Sequence, residues 1–219
     1  MKMGKSIIIV ISLLVLTAFS GCSAISLLTQ GEFDASGYVV SLLDAGYKGE
    51  FEQYIKLTKD TEENVQSTYD GVMEAKADGF ISFVGATSTE ELKEKYIAYS
   101  KQIFSHAKYE VANTTKTENG FTVELTVYPI TLLEKVLEEG EVYVADFNQR
   151  NENGEFAEYT DEEFEAEYAN GITAIFENNV ANIEYAEPVT LTINLILSDG
   201  KVYEMSDADY TAIDGALLQ

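Results

Sequence analysis

The longest apolar run of the chain comes first: Ile7 to Phe19 is broken only by Ser12 and Thr17, follows Lys2 and Lys5, and ends in Ser20-Gly21-Cys22. A basic start, an apolar middle and a small-residue end form an export signal. A membrane-spanning helix needs about 20 apolar residues, more than this run supplies. The pattern therefore predicts a signal peptide over 1–21, a short tether over 22–32 and one domain over 33–219.

From Phe33 the apolar positions take helical spacing. Asp34 stands as an N-cap, and Phe33 and Tyr38 occupy the two positions of a hydrophobic staple. Val39, Leu42, Leu43 and Tyr47 continue the stripe, which Gly46 and Gly49 end. Phe51, Tyr54 and Ile55 mark a short helix over 51–57. Asp60-Thr61-Glu62-Glu63 reads as a capping box with Asp60 in the Ser/Thr place, and Val65, Tyr69, Val72 and Met73 carry that helix to about Lys76. The apolar stretch Phe80 to Val84 fits a helix end or a short buried strand.

The pattern then repeats near 88–129 and 160–205. Ser88-Thr-Glu-Glu-Leu92 precedes Tyr96, Ile103 and Phe104, just as Thr160-Asp-Glu-Glu-Phe164 precedes Tyr168, Ile175 and Phe176. Both read as a capping box followed by a helix with its aromatic residues on one face. After each comes a strand pair. Lys108–Thr115 and Phe121–Tyr128 flank Thr117-Glu-Asn-Gly120; Val189–Leu197 and Lys201–Met205 flank Ser198-Asp-Gly200. Between the repeats Thr131-Leu-Leu-Glu134 caps a helix that Val142 to Phe147 prolongs past Gly140, and a last helix starts at Ser206. The fold expected is α+β: N-terminal helices, then two helix-β-hairpin repeats whose hairpins join in a four-stranded antiparallel sheet with helices packed on it.

Phe19-Ser20-Gly21-Cys22 resembles the lipobox of bacterial lipoproteins, with Phe19 where that motif favours Leu. The resemblance implies cleavage before Cys22 and attachment of a diacylglycerol to its thiol, the palmitate-type modification that fixes a lipoprotein to the cell membrane. Two acyl chains suffice for stable anchoring where one is marginal. Several stretches also look like an uncharacterised Gram-positive (Firmicutes) cell-surface lipoprotein family carrying a domain of unknown function. They are Phe33-Asp-Ala-Ser-Gly-Tyr38, Leu43-Asp-Ala-Gly-Tyr47, Tyr109-Glu-Val, Val127-Tyr-Pro-Ile130, Thr160-Asp-Glu-Glu-Phe164 and Ser206-Asp-Ala-Asp-Tyr210-Thr-Ala-Ile213-Asp214. That resemblance implies an extracellular face and carries no functional residues.

Charge narrows the partners. The whole chain has 14 basic and 38 acidic residues, and without Lys2 and Lys5 the net charge is −26. Nucleic-acid binding is excluded as a reading, because phosphate neutralisation needs clustered Lys and Arg. From Asn151 to Gly200 there are 12 acids and no Lys or Arg. Such a run is a solvated face, or a surface for divalent cations or a basic partner. With 46% hydrophobic residues, 14 Tyr and 11 Phe, the domain is expected to fold rather than stay disordered.

Candidate chemistry is sparse. Cys22 is the one cysteine and His106 the one histidine, so disulfides and thiolate metal clusters are out within one copy. His106 lies at a predicted helix end and is expected to cap it. Gln149-Arg-Asn151-Glu-Asn153-Gly154 imitates a calcium loop, but Gln149 is neutral and Thr160 stands in place of the bidentate Glu. Glu162, Glu163 and Glu167 gather on one helix region. No catalytic set, metal site or cofactor emerges. The chain reads first as a lipid-anchored surface lipoprotein whose domain is a non-catalytic binding or adaptor module for a surface protein, peptide or wall polymer. A carboxylate-dependent extracellular hydrolase and a divalent-cation-binding surface protein are the alternatives.

Overall fold

The computed structural model describes residues 33–198 and 202–219. Signal, tether, Cys22 and most of the Ser198-Asp-Gly200 turn lie outside the described residues. Helices come first: α1 (Ala35–Leu43), running on through a π-helical turn (Asp44–Lys48), then α2 (Glu52–Thr58), α3 (Glu62–Phe83) and α4 (Glu90–Ser105). The first hairpin, β1 (Lys108–Lys116) and β2 (Gly120–Tyr128), follows. Two long helices, α5 (Leu132–Glu152) and α6 (Asp161–Val180), lead to the second hairpin, β3 (Val189–Ser198) and β4 (Val202–Met205), and α7 (Asp207–Leu217) closes the described chain.

The sheet has four antiparallel strands in the order β1-β2-β3-β4, as the α+β reading expects. The two hairpins meet along β2 and β3, with Val123 opposite Ile193 and Leu125 opposite Leu191. Period-two alternation sends Val123, Leu125, Val127, Ile193, Leu195 and Met205 to one face, where they are buried under α1 and α7. Behind these lie the helix pairs α3–α4 and α5–α6, with α4 against α6.

Local chemistry explains the boundaries. Asp34 caps α1 by accepting from Gly37 N–H at 2.8 Å, and the staple closes with the Phe33 and Tyr38 rings 5.5 Å apart. Gly49 takes φ +71 at the end of the π-helical turn, whereas Gly46 lies within that turn and ends nothing. The cap of α3 is Thr61, one residue after the place expected: its hydroxyl accepts from Asn64 N–H, while Asp60 takes Thr61 N–H at 2.7 Å. Helix α3 runs to Phe83, so Phe80 to Val84 is a helix end. Thr89, not Ser88, caps α4 by accepting from Leu92 N–H. Thr160 makes the full capping box with Glu163. Thr131 holds the N-cap position of α5, but its hydroxyl donates to Glu184 C=O and makes no cap bond.

Candidate functional site

A largely buried polar cluster joins α3 to α7. Lys76 lies three residues after Met73 and four before Phe80 on the apolar stripe of α3, so the helix carries its side chain inward. Its ammonium meets Asp214 Oδ1 at 2.9 Å, with side chains 8% and 12% exposed. Tyr47 OH donates to the same carboxylate at 2.7 Å, and the Phe104 ring lies 4.3 Å from Lys76 Nζ. Burial lowers the Lys76 pKa, and Asp214 opposes that shift. Burial, then the Asp214 charge, raises the Tyr47 phenol well above its usual range. Alongside, Tyr109 OH donates to Asp44 Oδ1 at 2.7 Å, and Lys48 pairs with that oxygen at 2.8 Å while lying 4.5 Å from the Tyr109 ring. Two ammoniums, two carboxylates and two phenols resemble catalytic groups. Here each is turned on another, and what the arrangement does is pin α7 and the π-helical turn to the core.

That cluster was legible only in part. A lysine between Met73 and Phe80, and an aspartate beside Ile213 in a stripe running to Leu217, were the available signals, but no spacing links residues 138 positions apart.

The residues singled out in the sequence fall in separate places. His106 is the C-cap residue of α4 through its backbone N–H, which donates to Ile103 and Phe104 C=O; its own carbonyl accepts from Tyr185 OH at 2.8 Å. Gln149 to Glu152 form the last turn of α5, and Gly154 turns at φ +84, so the calcium-like loop is a helix end. Glu163 is engaged in its capping box and Glu167 with Arg150 at 3.1 Å, while Glu162 is exposed. Among the described residues, no group of three or more His, Cys, Asp or Glu is placed to hold a metal ion. Tyr38, Tyr69, Tyr96 and Tyr168 are core residues.

Among the described residues, the other face of the sheet is left open. Register aligns three rows across it: Glu110-Thr126-Thr190, Asn113-Glu124-Thr192 and Thr115-Thr122-Asn194. Its members are exposed or half-exposed, as are Lys108, Tyr128 and Ile196. Lys108 Nζ lies 3.9 Å from the Tyr128 ring centroid, and Tyr128 OH donates to Glu110 at 3.5 Å.

The rim of this face is uneven. Strand β4 pairs with β3 only from Leu195 to Ser198. Leu197 N–H donates to Asn119 C=O at 2.9 Å on the β2 side, and Asn194 N–H donates to Asp209 Oδ2 at 3.4 Å on the other. Because amides alternate in direction along a strand, the N–H and C=O groups of Thr190 and Thr192 point away from β2, where β4 has no residue.

No protein-family model and no curated protein matches the chain. A solved structure does: a chain of Bacillus subtilis, ycdA, described as a candidate lipoprotein, superposes with TM-score 0.59 at 17% identity over 85% of this chain. The match spans 56% of the ycdA chain, so this chain corresponds to little more than half of that protein. At this identity the likeness is one of fold, and the neighbour's source is a Firmicute. Among the described residues, no helix is long and apolar enough to cross a membrane.

Proposed function

We propose that the chain is a surface lipoprotein held to the outer side of the cell membrane by lipid on Cys22, and that its domain is a non-catalytic binding or adaptor module. Its ligand is a peptide, a wall polymer or another exported protein. The lipobox-like Phe19-Ser20-Gly21-Cys22 supports the anchor, and the candidate-lipoprotein neighbour agrees with it. The observation that carries the binding role is the sheet face left uncovered among the described residues, an array of hydroxyl, amide and carboxylate groups with Tyr128 and Ile196 at its margins. A hydrolase needs two free carboxylates converging in a concave site, whereas the partly buried acids Asp44 and Asp214 are each engaged by a lysine and a phenol.

Two measurements test this. Cys22→Ser should abolish incorporation of a labelled fatty acid and release the protein from the membrane while its melting temperature stays the same; equal label on the variant ends the anchor reading. The lipid-free Cys22→Ser chain should be retained by cell-wall polymer or exported-protein fractions of a Gram-positive culture, and Thr122→Arg/Thr126→Arg on the open face should lose that retention. Retention by none of the fractions, or retention indifferent to the face substitutions, removes the binding role.

A further inference from the structure

We propose that the free edge of β3, at Thr190 and Thr192, takes an extended basic segment of another exported protein as a fifth strand, an inference that rests on the binding reading above. Backbone pairing with such an edge is a recurrent way of holding a peptide, with side chains on alternate faces giving selectivity. The edge offers the groups required: the exposed Thr190 and Thr192 present an N–H and a C=O each to the side that β4 leaves empty.

Edge strands are ordinarily blunted by bulges, charges or prolines. The opposite edge, β1, has its register broken between Val111 and Asn113 and carries Lys108 and Lys116. Strand β3 is blunted at the two ends of this stretch, by Pro188 before Val189 and by Asp209 on Asn194 N–H, but its ten residues, Val-Thr-Leu-Thr-Ile-Asn-Leu-Ile-Leu-Ser, include no charge and no proline.

Charge selects the occupant. Glu187 precedes the free edge, Asp209 stands at its far end on Asn194, and Glu124 lies opposite Thr192 one strand inward. An added strand would run about 10 Å from β2, two strand spacings, within reach of lysine side chains crossing the open face towards Glu124. Its alternate residues would lie beside the half-exposed Val189 and Leu191, which favours apolar side chains there. A second copy of this chain is the wrong occupant, because each copy has a net charge of −24 before processing and pairing would bring like fields together.

The test uses the full chain in detergent micelles and two fluorescein-labelled decapeptides, one alternating Lys with Val and one alternating Glu with Val, read by fluorescence anisotropy. The lysine peptide should bind at least about tenfold more tightly than the glutamate peptide. Thr192→Pro, which removes an N–H that β2 does not use, should weaken binding by about tenfold, the scale of a lost hydrogen bond or two. Thr192→Val, which keeps the N–H, should not. If Thr192→Pro impairs folding, N-methylation of the lysine peptide at alternate residues removes the same bonds from the ligand side, and its affinity should fall likewise. The inference is overturned by equal affinity for both peptides, by no binding of the lysine peptide, by indifference to Thr192→Pro and N-methylation, or by a dimer that Thr192→Pro dissociates. Any of these with retention still lost in Thr122→Arg/Thr126→Arg removes the edge and leaves the binding module standing.

Discussion

Tyr96 and Tyr168 stand at matching places in the two repeats and have relative exposures of 0% and 1%. Tyr96 packs on Phe176 with centroids 4.9 Å apart, while Tyr168 meets Phe147 at 5.4 Å and donates its hydroxyl to Val84 C=O at 2.7 Å. Denaturant melts should show Tyr96→Ala and Tyr168→Ala each losing about 3–5 kcal/mol, the cost of emptying an aromatic site in a core. Tyr168→Phe should lose about 1 kcal/mol, the worth of one hydrogen bond. Burial also pushes both phenols up to about 12. Because the folded pKa lies above the unfolded value near 10, their contribution is intact below pH 10 and is lost as pH rises from there to 12. Each tyrosine removes about 1.4 kcal/mol per pH unit across that window. Tyrosinate absorbance should therefore lag behind that of free tyrosine and then rise together with unfolding; a smooth titration of all tyrosines near pH 10 would show these rings to be accessible. The Lys76–Asp214 pair offers a different test. Asp214→Leu alone should cost about 3–5 kcal/mol by stranding a buried ammonium, and Lys76→Met added to it should recover most of that loss.

At the level of elements, helix glycines make a sharp contrast. Gly71 in α3 and Gly215 in α7 have nothing within 4 Å of where a Cβ would stand, but at Gly171 in α6 that atom would strike the Tyr143 ring and hydroxyl of α5. Tyr143 OH donates to Glu167 and Tyr168 C=O at 3.1 and 3.2 Å, so this contact locks α5 to α6. Gly71→Ala and Gly215→Ala should each stabilise by up to about 1 kcal/mol through helix propensity. Gly171→Ala should instead destabilise by about 1–3 kcal/mol, as overpacking does, and a stabilised Gly171→Ala would mean that the two helices are not in register here. Element types were readable because the signals are local. Alternation at Phe121, Val123, Leu125 and Val127 marks a half-buried strand whatever surrounds it, and Thr160 with Glu163 announces a helix start. Cap positions slipped by one at Ser88 and Asp60 because Thr follows each, and the hydroxyl with the better geometry takes the bond. The full extent of α3 is not legible in its pattern, because Phe80 to Val84 is apolar enough for either element. The open edge of β3 was illegible, since it depends on β4 stopping at Met205 and on the order of strands in the sheet.

For the whole molecule, the unequal charge is the property most exposed to experiment. Between Asn151 and Gly200 the sequence has 12 acids and no Lys or Arg, and the structure brings in few cations from elsewhere: Arg150 pairs with Glu155 and Glu167, and Lys135 with Glu184. Those pairs are on or near the surface and contribute little in water, so most of the carboxylates on and around α6 repel one another across solvent. Screening over about 10 Å at 0.1 M salt should reduce that repulsion, and the melting temperature should rise with NaCl and level off once nearby charges are screened. A calcium-binding surface makes a different forecast. Binding to the folded state alone would raise the melting temperature at micromolar to millimolar Ca²⁺ beyond the effect of Na⁺ at equal ionic strength. The engagement of Glu163 in its capping box and of Glu167 with Arg150 supports screening, because two of the carboxylates Glu162, Glu163 and Glu167 already have partners. Glu162→Gln/Glu163→Gln separates the two cases, since Gln at 163 can still accept from Thr160 N–H and preserve the cap. Under screening, the double variant should melt no lower than the parent at low salt and respond less to NaCl. A calcium-specific rise in the parent that chelator removes and the double variant lacks would refute screening and make α6 a cation-binding face.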